Sequence, residues 1–232
     1  MEDRTGQKLG NYRLLHLLGH GGFAEVYLGE HTHLNTYAAI KVLHTQWRPD
    51  DFAMFQAEAS TIAHLEHPHI IRVLEFGLEA GTTPFLVMAY APHGNLRQRH
   101  SNGLSLPITT ILSYVDQVSS ALHYAHSQGL THRDVKPENM LLGRDDTILL
   151  SDFGLAVMTQ RASSPLMEFA AGTIAYMAPE QIQAHAVPAS DQYALGIVVY
   201  EWLSGVRPFQ GTFTEIAAKH CLVQPPSLRE RI

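Results

Sequence analysis

The chain has little cysteine and no long apolar run. Cys221 is the only cysteine among 232 residues, so no disulfide can form within the chain. The longest apolar run, residues 193–203, is interrupted by Gly196 and Glu201 and is too short to cross a bilayer. These scarcities argue against a disulfide-stapled secreted fold and against a membrane segment, and they favour a buried helix over residues 193–203.

Runs of positive charge are also missing. The chain carries 16 Lys and Arg against 22 Asp and Glu, a formal net charge of −6. A basic patch for nucleic acid or an anionic membrane is therefore not expected. Residues 1–6 have neither the basic start nor the apolar stretch of a signal peptide. We expect a cytoplasmic location, with no nucleic-acid partner and no membrane segment in this chain.

Histidine, in contrast, is abundant, with 15 copies. The spacing does not support a metal site, because there is no H-E-x-x-H and no Cys/His cluster. His123 and His126 lie on a helix that is predicted to end at Gly129. Packing and surface roles are therefore the favoured interpretation of the histidines.

The two halves of the chain have different patterns. From Tyr12 to about Tyr90 they indicate mostly strands, including a hairpin with its turn at residues 33–36, and one helix over residues 50–66. Residues 88–94 contain the Pro and Gly of a connector. Beyond it the signals are helical, and a helix over residues 108–126 is predicted from an apolar stripe formed by Ile111, Leu112, Val115, Val118, Leu122 and Ala125.

Three motifs follow in a fixed order. Residues 131–139 read T-H-R-D-V-K-P-E-N, residues 151–154 read S-D-F-G, and residues 177–180 read M-A-P-E. They match the catalytic-loop pattern H-R-D-x-K-x-x-N, the D-F-G metal loop and the A-P-E that closes an activation segment. The chain thus resembles the protein kinases, and three such matches in this order are not expected by chance.

A glycine-rich element lies near the N terminus. Residues 18–26 read L-G-H-G-G-F-A-E-V, which is similar to the kinase pattern G-x-G-x-x-G-x-V with Ala24 in place of the third glycine. A dinucleotide-binding fold is the rival, but its glycines open a helix, whereas these lead into a second strand. The resemblance implies that this element binds ATP through Leu18, Gly19, His20, Gly21, Gly22, Phe23, Ala24 and Val26.

The strand that follows contains a lysine at the expected distance. Residues 38–41 read A-A-I-K and resemble the V-A-I-K strand, whose lysine, here Lys41, pairs with the α- and β-phosphates. Glu58, on the predicted helix, is the best candidate for the carboxylate that orients Lys41, and Glu66 is the alternative. Either glutamate could instead be a solvated helix residue.

Phosphoryl transfer needs few side chains, because catalysis is mostly positioning and charge neutralisation. Asp134 would accept or orient the proton of the attacking hydroxyl, and Lys136 would stabilise charge on the transferred group. Asn139 and Asp152 offer the oxygen ligands that Mg²⁺ prefers. ATP and Mg²⁺ are therefore the predicted cofactors.

The adenine site is less specific in sequence. Residues 85–91 resemble the strand and hinge against which the base lies. The resemblance implies hydrogen bonds from the base to the carbonyl of Ala89 and the N–H of Ala91. Val26, Ala39 and Leu141 would form the apolar walls, although each could equally be an ordinary core residue.

The chain is similar to the Hanks-type, eukaryotic-like bacterial serine/threonine protein kinases. Lys136 and residues 172–180 resemble the serine/threonine branch, in which Thr173 contacts the catalytic loop. The resemblance implies an α+β, two-lobed fold: a lead-in at residues 1–11, a small antiparallel sheet lobe with one helix at 12–89, and a larger, mainly α-helical lobe at 90–232.

The predicted function is transfer of the γ-phosphoryl of MgATP to Ser or Thr hydroxyls of proteins, including this chain. Arg133, next to the catalytic aspartate, needs an anion, and a phosphorylated activation-segment residue would supply it. Ser163 and Ser164 are the candidates. A transient homodimer would allow one copy to phosphorylate another.

The main departure from the family lies at the C-terminal end, where further helices of the large lobe are missing. Asp191 matches the residue that anchors the catalytic loop, but only Arg229 and Arg231 remain to pair with Glu180. A buried, unpaired Glu180 would cost about 3–5 kcal/mol. The alternative function is therefore a catalytically impaired nucleotide-binding or scaffold domain, and a small-molecule kinase is a weaker third.

Overall fold

A computed structural model describes residues 3–21, 24–44, 56, 59–79, 81–101, 103–153 and 173–231. The described residues fall into two compact units. The first contains residues up to Glu66 and Ile71–Ala91, and the second contains His67–Ile70 and the described residues from Pro92 onward. His67–Ile70 groups with the second unit because the N–H of Leu150 donates to the carbonyl of His69 at 2.9 Å.

The first unit is built on a six-stranded antiparallel sheet. The strands are β1 Lys8–Leu9, β2 Tyr12–His20, β3 Ala24–His31, β4 Tyr37–Leu43, β5 Val73–Glu79 and β6 Thr83–Ala89. Their order in the sheet is β1-β2-β3-β4-β6-β5. The predicted hairpin is confirmed, since β3 and β4 pair on either side of the turn at residues 32–36. Residues 8–9 of the predicted lead-in pair with β2 and so belong to the sheet.

One face of this sheet carries the apolar core of the unit. Alternate residues of neighbouring strands point to the same side, so the pairing of β2, β3, β4 and β6 collects their large side chains into one cluster. The cluster consists of Leu9, Tyr12, Leu14, Tyr27, Ala38, Ile40, Val42, Phe85 and Val87.

The helix predicted over residues 50–66 lies largely outside the described residues. Residues 59–63 are helical and His64 lies in a turn, so the helix ends before Glu66. The predicted end was therefore too late. Pro68 disfavours a helical backbone at His67, so the helix ends ahead of the dipeptide His67–Pro68.

The second unit is mainly helical. The helices among its described residues are Leu96–Arg99, Ile108–Ser127, Pro179–Ile182, Pro188–Ser204 and Phe213–Leu222. Its strands, β7 Met140–Leu142 and β8 Ile148–Leu150, form an antiparallel pair. Single 3₁₀ turns occur at Pro137–Asn139, Arg144–Asp146, Ile174–Tyr176 and Leu228–Glu230. The sheet of the first unit and the helices of the second confirm the predicted α+β class.

The helix Ile108–Ser127 confirms the prediction for residues 108–126, with one exception in its stripe. Leu112 is 60% exposed, whereas Tyr114 is buried. Buried residues at 111, 114, 118, 122 and 125 follow the i, i+3, i+4 spacing, and Leu112 lies about 100° away from Ile111 around the helix. Its assignment to the buried stripe was wrong.

The apolar run at residues 193–203 lies in the helix Pro188–Ser204, as predicted. Nine of its residues are buried, including Asp191 and Glu201. None of the helices in the described part of the chain has both the length and the apolarity that crossing a membrane requires.

Candidate active site

The catalytic loop is held by a carboxylate from the helix Pro188–Ser204. Asp191 is 1% exposed and accepts hydrogen bonds from the backbone N–H groups of His132, at 2.8 Å, and Arg133, at 2.7 Å. The Nε2 of His126 lies 2.8 Å from the same carboxylate. The predicted anchoring role of Asp191 is confirmed, and its contacts fix the backbone just before Asp134.

Asp134 and three other predicted residues of the second unit form one hydrogen-bonded cluster. The ammonium of Lys136 donates to Asp134 Oδ2 at 2.7 Å and to the hydroxyl of Thr173 at 2.9 Å. The side-chain amide of Asn139 donates to the carbonyl of Asp134 at 2.8 Å and to its Oδ2 at 3.0 Å. The predicted contact of Thr173 with the catalytic loop is therefore confirmed, and Asp134 is held by two donors.

His132 is fully buried and fixes the position of the loop from inside. Its Nδ1 accepts the N–H of Asp134 at 3.2 Å, and its Nε2 lies 2.8 Å from the carbonyl of Ser151. An Nε2–H tautomer satisfies both partners. The ring also packs against Phe153, with centroids 4.5 Å apart. The catalytic loop and the start of the D-F-G segment are thus connected directly.

Two residues of these segments have a left-handed backbone. Arg133 has φ 69° and Asp152 has φ 68°, which is uncommon for residues other than glycine. Such conformations persist only where surrounding contacts enforce them, and they concentrate at functional sites. At Arg133 the enforcing contacts are Asp191 on its N–H and the amide of Gln181, which donates to its carbonyl at 2.6 Å.

The guanidinium of Arg133 is incompletely satisfied. Within the described residues its Nε is buried without a hydrogen-bond partner. A buried donor of a charged group costs free energy unless an acceptor is supplied. The site therefore fits an anion, in agreement with the sequence prediction. Ser163 and Ser164, the predicted phosphate carriers, lie outside the described residues.

Glu180 does not lack a partner, so the expectation of an unpaired carboxylate was wrong. Its side chain accepts a hydrogen bond from the hydroxyl of Ser190 at 2.6 Å, and Glu180 is only half-buried. The same hydroxyl accepts the N–H of Val187 at 3.1 Å. Ser190, at the start of the helix Pro188–Ser204, thus supplies the hydrogen-bond donor to Glu180, and no arginine is needed for this role.

Sequence reasoning missed a buried ionic cluster beside the catalytic loop. The guanidinium of Arg97 donates to both oxygens of Glu201 at 3.0 Å and to Glu138, within the catalytic loop, at 2.9 Å. The hydroxyl of Tyr176 donates to Glu201 at 2.6 Å and contacts Arg97. Burial, followed by the charge of Glu201, raises the pKa of Tyr176, so its hydroxyl stays protonated. No local pattern marked these residues, because they come from four separate segments.

In the first unit, the register of the sheet groups the predicted phosphate and adenine residues on one face. Val26 pairs with Lys41, and Lys41 with Leu86. Ala39, two residues before Lys41 and paired with Met88, shares this face. This face of the sheet is opposite to the apolar core, because the core is formed by the alternate residues of the same strands, such as Ile40 and Val42 on either side of Lys41.

The glycine-rich element is the connection between β2 and β3. Gly19 pairs with Val26, and the N–H of Gly21 donates to the carbonyl of Ala24 at 2.9 Å. This antiparallel hairpin excludes the dinucleotide-binding alternative. Neither Gly19 nor Gly21 has a positive φ, and among the described atoms a Cβ at either would meet nothing closer than 3.7 Å. The protein itself does not demand glycine there, whereas an approaching phosphate would.

The remaining predicted residues are distributed as follows. Leu18 and His20 lie on β2, and Ala24 begins β3 as a buried strand residue, which explains why it need not be glycine. The N–H of Ala89, at the end of β6, donates to the carbonyl of Arg72 at 2.9 Å, so this N–H is not available to a ligand. Leu141 lies on β7, in the second unit, and Ala91 is half-buried. Gly22, Phe23 and Glu58 lie outside the described residues.

The chain is similar to known protein kinases over most of its length. The family described as protein kinase domain matches residues 12–229. "Serine/threonine-protein kinase PknA" of Mycobacterium tuberculosis is 38% identical over 237 aligned positions, which cover 98% of this chain and 55% of PknA. "Probable serine/threonine-protein kinase PknB" of Lactococcus lactis is 36% identical, over 94% of this chain and 35% of PknB. "Serine/threonine-protein kinase PrkC" of Bacillus subtilis is 34% identical, over 95% of this chain and 34% of PrkC.

The chain therefore spans between a third and about half of the length of these relatives. The family match covers nearly all of it, including both the glycine-rich hairpin and the catalytic loop. The predicted resemblance to the bacterial serine/threonine kinases is thus confirmed, and the chain belongs to the protein kinase family.

Proposed function

We propose that this chain transfers the γ-phosphoryl group of ATP to Ser or Thr hydroxyls of proteins. The observation that carries the proposal is the arrangement around Asp134, where an ammonium and an amide both donate hydrogen bonds to one carboxylate. A scaffold has no need of such a set. The alternative of an impaired domain loses one of its arguments, because Glu180 is hydrogen-bonded to Ser190.

Each residue around the proposed acceptor has a separate task. Asp134 would accept a hydrogen bond from the acceptor hydroxyl and orient its oxygen for attack. Lys136, held between Asp134 and Thr173, would neutralise charge on the transferred phosphoryl. Because Thr173 belongs to the segment that leads to A-P-E, its contact also supports a role of that segment in positioning a peptide substrate.

The donor set also fits a divalent cation. The amide nitrogen of Asn139 is engaged by Asp134, which leaves its oxygen as the metal-ligating atom. Together with the carboxylate of Asp152 this gives two hard oxygen ligands, as Mg²⁺ requires. When bound between these ligands, such an ion would neutralise negative charge on the phosphate groups. Lys41, on the face shared with Val26 and Ala39, would bind the α- and β-phosphates.

Activation would depend on Arg133. We assign the guanidinium of Arg133 to a phosphorylated Ser163 or Ser164, since a phosphate supplies the acceptor that the buried Nε lacks among the described residues. Phosphorylation between two copies of the chain, in a transient homodimer, is the proposed route. Peptide mapping that places the phosphate elsewhere on the segment, with none on either serine, would remove this assignment.

The proposed activity is tested by incubating the purified chain with MgATP and recording its intact mass over time. The wild type should gain phosphate units, whereas Asp134→Asn should gain them at least about 100-fold more slowly, because general-base positioning contributes on that scale. Asp116→Asn, an exposed aspartate on the helix Ile108–Ser127, is the matched control and should behave as the wild type.

Two further measurements distinguish a loss of phosphotransfer from a loss of folding or of nucleotide binding. Circular dichroism reports whether each variant is folded, and fluorescence titration with an ATP analogue reports whether it binds nucleotide. A folded wild type that binds ATP but transfers no phosphate, to itself or to a generic protein substrate, contradicts the proposed activity. Equal rates for the wild type and Asp134→Asn contradict the role of Asp134.

A further inference from the structure

Three potential metal ligands meet beside the glycine-rich hairpin, in the first unit. His20 is the last residue of β2 and pairs directly with Glu25 on β3. His44 follows β4, whose last residue, Leu43, pairs with Ala24. One ligand atom from each of His20, Glu25 and His44 lies within 4.8 Å of the other two. No local spacing in the sequence indicates this cluster, because strand pairing brings residues 20, 25 and 44 together.

The carboxylate of the cluster is buried. Glu25 is 7% exposed, although a charged side chain is rarely buried unless it is paired or coordinates a metal. The hydroxyl of Tyr27 donates to Glu25 Oε2 at 3.0 Å, which fixes the plane of the carboxylate. The second oxygen, Oε1, faces His20 and lies 3.5 Å from its Nδ1. A cation between these atoms would offset the burial of the negative charge.

The separation of His20 and Glu25 suits a small transition-metal ion, and the ligand atom of His44 lies within 4.8 Å of both. With metal–ligand bonds of about 2.0–2.1 Å, two ligand atoms of a tetrahedral site lie about 3.4 Å apart. His20 Nδ1 and Glu25 Oε1 are already at this separation. The rings of His20 and His44, with centroids 5.6 Å apart and planes tilted by 40°, are not stacked face to face, so both can point a nitrogen at one ion.

We propose that His20, Glu25 and His44 form a binding site for a divalent transition-metal ion of the Zn²⁺ class. Two imidazoles and one carboxylate are a donor set that Zn²⁺ accepts, with water in the fourth position. Mg²⁺ is excluded from such a site because it prefers oxygen ligands. The ion would connect the end of β2, the start of β3 and the residue after β4, and Tyr27 is the positioning residue that orients the carboxylate.

The site is tested with the metal alone, on the whole chain and without nucleotide. After treatment with a chelator, calorimetric titration with ZnCl₂ should show one site, and titration with MgCl₂ should show none there. His44→Gln should lower the Zn²⁺ affinity at least about tenfold, since it removes one of three protein ligands. His33→Gln is the matched control, because His33 is an exposed histidine that neighbours His31 but not the cluster. It should leave the affinity unchanged.

Two other measurements distinguish ligation from a structural effect. Co²⁺ bound to the wild type should give the visible absorption band of a four-coordinate ion, and His44→Gln should lose that band. Tyr27→Phe keeps the ring in the core but removes the hydroxyl that orients Glu25, so it should weaken Zn²⁺ binding about 10-fold while the chain stays folded.

The wild type also gives a test that needs no variant. In histidine side-chain NMR spectra, one equivalent of Zn²⁺ should shift the signals of His20 and His44 before those of the other histidines. Equal affinity in the wild type and His44→Gln, or first shifts at other histidines, would overturn the proposal. Because no step uses ATP, this test stands apart from that of the proposed kinase activity.

Discussion

Replacing Asp191 with asparagine should uncouple the catalytic loop from the helix Pro188–Ser204. The carboxylate accepts three hydrogen bonds, from the N–H groups of His132 and Arg133 and from the ring of His126. Asparagine has almost the same shape but only one acceptor oxygen. In either orientation its amide nitrogen faces one of the two backbone N–H groups, which then has no acceptor.

The expected cost follows from these contacts. A buried N–H without an acceptor costs about 1–3 kcal/mol, and the surviving bonds lose the extra strength that a charged acceptor provides, about 1 kcal/mol each. We therefore expect Asp191→Asn to lower the free energy of unfolding by about 4 kcal/mol. A typical folded domain has a free energy of unfolding of about 5–15 kcal/mol, so this loss is a large part of the total.

The assay is urea unfolding followed by circular dichroism, with the free energy extrapolated linearly to zero urea. Asp116→Asn is the control for the chemical change, because Asp116 is exposed, and it should shift the free energy by no more than about 0.5 kcal/mol. Phosphotransfer is measured at a temperature at which the variant remains folded. We expect it to fall as well, because Arg133 immediately precedes Asp134 and both depend on the same loop conformation.

A loss of less than about 1 kcal/mol in Asp191→Asn would refute the reasoning, since no orientation of the amide satisfies both N–H groups. Full stability together with normal phosphotransfer would show that Asp191 does not hold the loop. A stable variant with reduced phosphotransfer would mean that the carboxylate sets the loop geometry without contributing to its stability.

Three other outcomes are expected. Ser190→Ala removes the hydroxyl that donates to Glu180, so the free energy of unfolding in urea should fall by about 1–3 kcal/mol. An unchanged free energy of unfolding would show that Glu180 finds another donor. Glu201→Gln removes one of the two carboxylate charges that contact the guanidinium of Arg97 and should lower the free energy of unfolding by about 3 kcal/mol in the same assay, whereas a neutral effect would show that the pair only offsets its own desolvation. Burial lowers the pKa of His220 below 6.5, so the folded state binds this proton less readily than the unfolded one. The contribution of His220 to stability is therefore complete above pH 6.5 and is lost as the pH falls through its lowered pKa. When the free energy of unfolding is measured at a series of pH values, it should fall less on acidification in His220→Gln than in the wild type.

The chemistry of the proposed active site could be predicted from the sequence because its residues lie in short contiguous motifs. Asp134, Lys136 and Asn139 fall within one nine-residue stretch, and their contacts in the structure are local. Thr173 and Asp191 were predicted by resemblance to the family, and both contact the catalytic loop. Residues within one short motif lie close together in the chain whatever the rest of the fold is, so their grouping can be predicted from the sequence.

Partners of buried charges could not be predicted, because sequence spacing does not show which segments meet. The sequence offered only Arg229 and Arg231 as charged partners of Glu180 and so predicted an unpaired carboxylate, but a hydroxyl from the next helix donates to it. Arg97 and Glu201 are far apart in the chain and were not connected by any motif. The stripe assignment of Leu112 failed for a related reason, because apolar character alone does not determine which face of a helix is covered.

The sequence by itself thus determined the family, the α+β class and the residues proposed for phosphoryl transfer, since these depend on local patterns of residue type. Only the tertiary structure decided how charge is balanced: Ser190 beside Glu180, the cluster of Arg97 with Glu201, and the three proposed ligands His20, Glu25 and His44. Each of these depends on strand pairing or helix packing between distant segments. The free energy of burying a charge is decided by what those segments place around it.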